Sequence, residues 1–197
     1  MNVDYLINLI IVVNIILNVS ANIPVVGQTF KKKLQPVLTK AESYLQSLPK
    51  TISTIIFLMI ILGLFGIGKI QIEDQSTQLL RVISVVLFVI FSWVQIYSIK
   101  LLGEFYSPDI VIYKQHRLID KGIYKVIRHP IYVSQIFQDF FAGIALMNLP
   151  IIFMTIFLEV PLYIARTNLE EKFLERNLTG YIDYKKRTGK WLPKIMK

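Results

Sequence analysis

The sequence has no cysteine, two histidines, and 13 Asp and Glu against 22 Lys and Arg. Without cysteine there is no disulfide framework, no zinc–thiolate site and no thiol nucleophile, so any chemistry comes from other side chains or from a cofactor. A Gly-rich loop set between a strand and a helix is also missing. The run GLFGIG at 63–68 sits inside an apolar stretch, so a dinucleotide loop is excluded on context and close helix packing is expected instead. No internal repeat or low-complexity linker divides the chain, which reads as one domain over 1–197. The net charge of +9 gives no case for nucleic acid, because the cations cluster beside apolar runs, where they report orientation. Residues 5–19 lack a basic segment before them and a small-residue cleavage site after them, so they read as a retained helix and not as a leader.

What is abundant is apolar sequence: 54% of the chain is hydrophobic. A helix crossing a bilayer needs roughly 20 predominantly apolar residues, and 51–72 and 79–102 each supply that. The run 5–19 is shorter and carries Asn8, Asn14 and Asn18, while 131–147 and 149–165 are separated only by Asn148 and Pro150, a spacing that predicts a helical hairpin. The fold class expected is therefore all-α: a polytopic integral membrane bundle of five transmembrane helices, the last two forming the hairpin. Residues 1–102 are mostly scaffold and 103–197 carry the polar chemistry. Lys31, Lys32, Lys33, Lys40 and Lys50 face one acid, Glu42, in the first loop, whereas Lys69 and Arg81 are balanced by Glu73 and Asp74 in the next. That asymmetry predicts an N-terminus outside and the 103–128 loop and C-terminus in the cytoplasm. Between Pro36 and Pro49, the helical spacing of Val37, Leu38, Ala41, Tyr44, Leu45 and Leu48 predicts a short interfacial helix.

The chemistry-bearing residues gather after Gly103. In HRLIDKGIYKVIRHPIY they are His116, Arg117, Tyr124, Arg128, His129 and Tyr132. Pro130 fits the first position of a helix, whose unpaired N–H groups and positive dipole end make a place for a carboxylate or phosphate. The plainer reading has Arg128 and His129 anchoring the helix at the headgroup level. In YIARTNLEEKFLERN, Arg166 and Glu170 are four apart and share a helical face, with Arg166 offering a forked contact to an anion. Glu171, Lys172, Glu175 and Arg176 are expected to be solvated charges on an exit helix. Gln95, Gln135, Gln138, Asp139 and Glu159 lie within or near spans, where carboxylates need a partner or a cavity.

The ordered runs KGIYKVIRHPIY, ARTNLEEKFL and GYIDYKKRTGKWLPKI, across 106–194, resemble the isoprenylcysteine carboxyl methyltransferase family and its phospholipid-methyltransferase relatives. The resemblance implies an S-adenosyl-L-methionine site at His116, Arg117, Leu118, Ile119, Tyr124, His129, Pro130, Ile131, Tyr132 and Glu170, with Arg166 positioning the substrate carboxylate and no metal. Where the family has a Gln upstream of the His, this sequence has Asp109. The implied activity is methylation of the carboxylate of a prenylcysteine-like lipophilic substrate by in-line displacement, in a membrane and from the cytosolic side. A phospholipid amine or lipophilic thiol as acceptor, a sterol-reductase-like enzyme and a non-enzymatic scaffold are the alternatives.

Overall fold

Prolines and polar caps set where the helices begin. In the computed structural model, residues 3–32, 37–71, 74–114 and 116–194 are described, with side chains outside 24–32. Lys33, Pro36, Ile72 and Glu73, and the side chains of Lys31 and Lys32, thus lie outside the described residues. The helices are α1 (Val3–Lys32), α2 (Leu48–Leu64), α3 (Gln75–Leu102), α4 (Pro130–Ala145), α5 (Leu149–Met154), α6 (Val160–Asn177) and α7 (Tyr181–Arg187), with a π-helical turn (Thr155–Glu159) joining α5 to α6. Pro49, Pro130 and Pro150 occupy the first or second positions of α2, α4 and α5, where a backbone N–H has no intrahelical partner to lose. Asp74 caps α3 by accepting from Thr77 N at 2.6 Å, and Asn148 caps α5 by accepting from Ile151 N at 3.3 Å. Pro161, early in α6, has no N–H for the carbonyl four residues back, and the π-helical turn before it absorbs that break.

Among the described residues, four helical stretches are long and apolar enough to cross a membrane: Val3–Ile23, Tyr44–Leu64, Gln75–Phe105 and Leu149–Asn177. The expected helix over 131–147, fourth of the five, is shorter than its apolar run and is not among these four. α4 has 16 residues, about 24 Å at 1.5 Å per residue, against roughly 30 Å of hydrocarbon. It stops at Ala145 because Met147 takes a positive φ of 55° and Asn148 N turns back to Gly143 O at 2.8 Å. The hairpin itself is present, with α4 packed on α5 and the π-helical turn.

Two other expectations change. Residues 37–48 hold no interfacial helix: β1 (Val37–Lys40) pairs antiparallel with β2 (Val111–Tyr113), and a 3-10 turn follows at Tyr44–Gln46. The Gln46 side chain fixes this strap, donating to Ala41 O and Ile110 O and accepting from Ile110 N at 2.9 Å. In GLFGIG, Gly63 is buried and a Cβ there would meet Leu146 at 3.1 Å, which is the expected close packing. Gly66 and Gly68, however, take φ of 81° and 78° and terminate α2 at Leu64 instead of continuing it.

α1, α2, α3, α4 and α5 meet around Ile7, Ile11, Ile56, Ile60, Phe88, Ala142 and Ile151. Asn14 Nδ2 reaches Ser92 Oγ at 2.8 Å and Asn8 Nδ2 reaches Leu64 O at 3.0 Å, so two polar residues of the first apolar run tie α1 to its neighbours. α3 lies along α4, with Phe91 stacked on Phe137 at 4.8 Å. One end of the bundle is closed by Asp4, which accepts from Lys69 Nζ at 2.7 Å and from Arg81 Nη2 at 2.5 Å, while Arg81 Nε caps the end of α4 at Ala145 O. Asp4, and not Asp74, is thus the described counter-charge for Lys69 and Arg81. The opposite end, where α2 and α4 begin and α3 finishes, holds a cavity.

Candidate active site

The cavity has a volume of about 390 Å³, within the usual range for small-molecule sites of roughly 300–1,000 Å³. Eleven residues singled out from sequence line it together: His116, Arg117, Leu118, Ile119, Tyr124, His129, Pro130, Ile131, Tyr132, Arg166 and Glu170. They come from three places, the loop after β2, the start of α4 and the cavity-facing side of α6.

Pro130 is the first residue of α4, so the free N–H groups of that first turn open beside the cavity. One turn along, the Tyr132 hydroxyl joins the two charged residues of α6. It accepts from Arg166 Nε at 3.0 Å and donates to Glu170 Oε2 at 2.7 Å. Arg166 and Glu170 therefore share a face as their spacing predicts, with a phenol between them. Arg166 is 2% exposed; its Nη1 donates to Leu45 O and Gln46 O at 2.8 Å each and its Nη2 to Pro108 O at 2.6 Å. Four of the five guanidinium N–H groups are thereby spent on protein acceptors. Arg166 clasps the strap to the site, a role the sequence did not signal.

The Arg-His-Pro triplet is not a headgroup anchor. His129 is buried, and Arg128 donates through Nε to Glu171 Oε1 at 2.8 Å and through Nη1 to the carbonyls of Lys185 and Thr188. Glu171 also meets His129 Nε2 at 3.2 Å and Lys185 Nζ at 3.2 Å. The expectation of a solvated Glu171 is corrected: at 4% exposure it is the hub of an ion-pair cluster joining α6, the start of α4 and α7. Glu175 likewise pairs with Lys185, at 2.5 Å. The chain after α7 completes this wall, with Arg128 N bonded to Gly189 O and His129 N to Lys190 O. Gly189 is required there, since a Cβ would fall 1.7 Å from Leu192 O.

The loop side is aromatic. His116 stacks with Phe105 at 5.1 Å and with Tyr113 at 6.2 Å. Tyr124 is buried with its hydroxyl toward Ser98 O at 3.3 Å, and burial, with Glu170 nearby, pushes its phenol well up, so it stays neutral. Asp109, at the position where a Gln was looked for, accepts from Lys40 at 2.8 Å and Lys50 at 2.5 Å. Burial pushes the Asp109 carboxyl up, but those two ammonium groups outweigh it and hold it below the ordinary carboxylate range. Two of the first-loop lysines are thus neutralised locally while they tie β1 and α2 to the cavity mouth.

On the far side, span residues noted in the sequence without a site role, Gln95, Gln135, Asp139 and Glu159, join Ser53 and Tyr163, which the sequence did not single out. Gln95 Nε2 donates to Gln135 Oε1 at 2.5 Å, Gln135 Nε2 donates to Asp139 at 2.8 Å, and Ser53, Glu159 and Tyr163 form a second polar chain. Tyr163 stacks on Tyr132 at 4.9 Å. The signal for Tyr163 was present, since 163, 166 and 170 follow the i, i+3, i+7 pattern of one helical face; Ser53, on another helix, gave none. Aromatic faces, one carboxylate and a helix start with unpaired N–H groups form a donor set that suits a ligand bearing both a cation and a carboxylate.

No curated protein matches the sequence. Among solved structures, a eukaryotic intramembrane Ras methyltransferase, isoprenylcysteine carboxyl methyltransferase solved without a monobody, is similar in fold with a TM-score of 0.54 and 19% identity. The match covers 79% of this chain and 55% of that one, so the chain spans about half the length of that relative. Residues 83–176, which run from α3 to the end of α6 and include the lining residues named from sequence, match the isoprenylcysteine carboxyl methyltransferase family. Over residues 83–176 the sequence is thus similar to the isoprenylcysteine carboxyl methyltransferase family, and the fold is similar to that of the solved enzyme.

Proposed function

We propose that the chain is an integral membrane methyltransferase that uses S-adenosyl-L-methionine and methylates the carboxylate of a prenylcysteine-like lipophilic acceptor. The observation that carries this reading is the convergence of eleven sequence-selected residues on one cavity at the end of a bundle whose helices expose apolar surface. When bound, S-adenosylmethionine supplies an electrophilic methyl group on a cationic sulfur and leaves as S-adenosyl-L-homocysteine. Tyr124 and Tyr132 offer aromatic faces for the sulfonium or the adenine. Glu170, fixed by the Tyr132 hydroxyl, meets the ammonium or the ribose hydroxyls. The first turn of α4 with His129 takes the carboxylate, and the stretch His116, Arg117, Leu118, Ile119 with Pro130 and Ile131 forms the remaining wall.

On the acceptor side, Arg166 has one N–H beyond its four protein bonds and its positive charge to orient a carboxylate. A carboxylate is ionised at neutral pH and needs no base. Orientation for in-line displacement carries the rate, and positioning can contribute roughly 7–11 kcal/mol. The acceptor's apolar tail stays among the bilayer lipids. We read α4 as a fifth membrane segment entering from the cavity end, with the N-terminus outside and the cavity facing the cytosol; Lys114, Arg117, Lys121 and Lys125 beside the cavity support that orientation. The membrane is the cell membrane in a prokaryote and the endoplasmic reticulum in a eukaryote.

The test is transfer of a labelled methyl group from S-adenosylmethionine to farnesylcysteine by the purified protein, with Glu170→Ala as control. Transfer that the Glu170→Ala substitution abolishes supports the reading; no transfer to farnesylcysteine rejects the carboxylate acceptor.

A further inference from the structure

Between α4 and the π-helical turn lies a second cavity, of about 370 Å³, that shares no lining residue with the first. Ile136 and Thr155 are buried in it while Phe137 and Ile156 are exposed, so it is a groove open on the outer side of the bundle. The Thr155 hydroxyl is spent on Ile151 O at 2.9 Å, and Val133, Phe140 and Val160 leave the rest of the groove apolar. From Val133 to Phe140 it follows α4 for about 10 Å, at 1.5 Å per residue. That is roughly two-thirds of one leaflet's share of a hydrocarbon core of about 30 Å.

The end nearest the first cavity is different. Trp191 closes the groove there, placed by the bond from His129 N to Lys190 O at 3.2 Å. Trp191 Nε1 is buried and meets no acceptor among the described residues, whereas a buried indole N–H normally finds a partner. Lys190, the preceding residue, donates its ammonium to a neutral acceptor, Asn168 Oδ1. Burial lowers the Lys190 pKa, and Arg128 and Lys185 add to that against the pull of Glu171 and Glu170. An anion alongside would relieve it. An apolar slot that ends in an unmatched N–H and a partly buried cation fits a molecule with a long apolar chain, an acceptor oxygen and a negative charge beyond it.

We propose that this groove binds one anionic phospholipid, with an acyl chain along α4 between Phe137 and Ile156, an ester carbonyl on Trp191 Nε1 and the phosphate beside Lys190. The proposal rests on α4 as a membrane segment entering from the cavity end, and it is independent of the methyltransferase reading. Lysines at a membrane surface are attracted to anionic lipid, and the apolar rim admits the chain sideways from the bilayer. The lipid also has a route to the first cavity. Arg128 N is bonded to Gly189 O and His129 N to Lys190 O, so a lipid that fixes Lys190 and Trp191 braces the wall that these backbone bonds form.

The experiment uses the full-length protein in detergent, carrying Trp93→Phe so that Trp191 is its one tryptophan. It is titrated with phosphatidylglycerol brominated on its acyl chains and, in parallel, with phosphatidylcholine of the same chains. Trp191 fluorescence should be quenched saturably, with a midpoint for the anionic lipid at least about fivefold lower, the worth of one lysine near an anionic headgroup. Lys190→Gln should erase that preference, and Val160→Phe, which fills the slot, should abolish saturable quenching by either lipid. Lys190→Gln leaves the groove and the backbone bond as they are, so it keeps the test decisive where Val160→Phe does not fold. Phosphatidylglycerol should also slow amide exchange at Arg128 and His129; unchanged exchange overturns the bracing. Quenching that rises with lipid without saturating, equal midpoints for the two lipids, or an undiminished preference in Lys190→Gln overturns the site. Farnesylcysteine that displaces the brominated lipid at a lower concentration than plain phosphatidylglycerol assigns the groove to the acceptor's tail and overturns it as well. No reading here needs a methyl donor, so failure of S-adenosylhomocysteine to bind rejects the methyltransferase reading alone.

Discussion

Replacing Tyr132 with Phe tests how the charged pair of α6 is held. The substitution keeps the ring, and with it the stacking on Tyr163 at 4.9 Å and on His129 at 5.7 Å. What it removes is one oxygen that accepts from Arg166 Nε and donates to Glu170 Oε2. Each of those bonds involves a charged partner, for which the net contribution is about 1.5–3 kcal/mol. The Arg166 half falls on stability, since its other three bonds hold the strap. The Glu170 half falls on cofactor affinity, because the carboxylate loses the contact that fixes its orientation. An affinity loss of about 1.5–3 kcal/mol is roughly 10- to 150-fold, at 1.4 kcal/mol per factor of ten. Titration calorimetry of S-adenosylhomocysteine into detergent-solubilised wild type, Tyr132→Phe, Glu170→Gln and the double variant measures it, and the double should lose less than the sum of the singles. Tyr132→Phe affinity within twofold of wild type, with full additivity, would refute the argument that the phenol positions Glu170.

Glu171→Gln, which keeps the shape and removes the charge facing Arg128, His129 and Lys185, should lower stability by about 3–5 kcal/mol, the cost of unpairing a buried ion, read from denaturant or thermal midpoints; a change below 1 kcal/mol, the surface-pair range, returns Glu171 to solvent. Arg166→Lys cannot reproduce a planar fork with acceptors on Leu45, Gln46, Tyr132 and Pro108, so hydrogen exchange across 41–47 should speed up while S-adenosylhomocysteine affinity changes little; unchanged exchange removes the clasp. Asp109 has a lowered folded-state pKa, so its tie to Lys40 and Lys50 contributes fully above the unfolded value of about 3.9 and is lost as pH falls through the lower folded value. Hydrogen exchange across 37–47, corrected for its intrinsic pH dependence, should therefore show the strap opening only below that range, and Asp109→Asn should remove the pH step; opening that starts near neutral pH contradicts it.

The features legible in the sequence were those encoded locally. Pro130 marks a helix start by its own chemistry, the hairpin follows from Asn148 and Pro150, and Arg166 with Glu170 follows from helical spacing. What escaped was set by partners far along the chain. Residues 37–48 carry a helical apolar pattern, yet Val37–Lys40 pairs with a strand about 70 residues on, which no local period reports. Glu171 reads as solvated until Arg128, 43 residues earlier, is seen against it. The expected fourth helix, α4, is short because Met147 turns back at positive φ, a conformation that methionine does not advertise.

The most direct test of the account is a calorimetric competition on the purified protein between S-adenosylhomocysteine and NADPH, repeated on Glu170→Ala. The account predicts saturable binding of S-adenosylhomocysteine at one site, lost in Glu170→Ala, and no heat from NADPH. Binding of NADPH with none of the S-adenosyl ligand would contradict it and favour a reductase, and S-adenosylhomocysteine binding that is indifferent to Glu170 would move the cofactor out of this cavity.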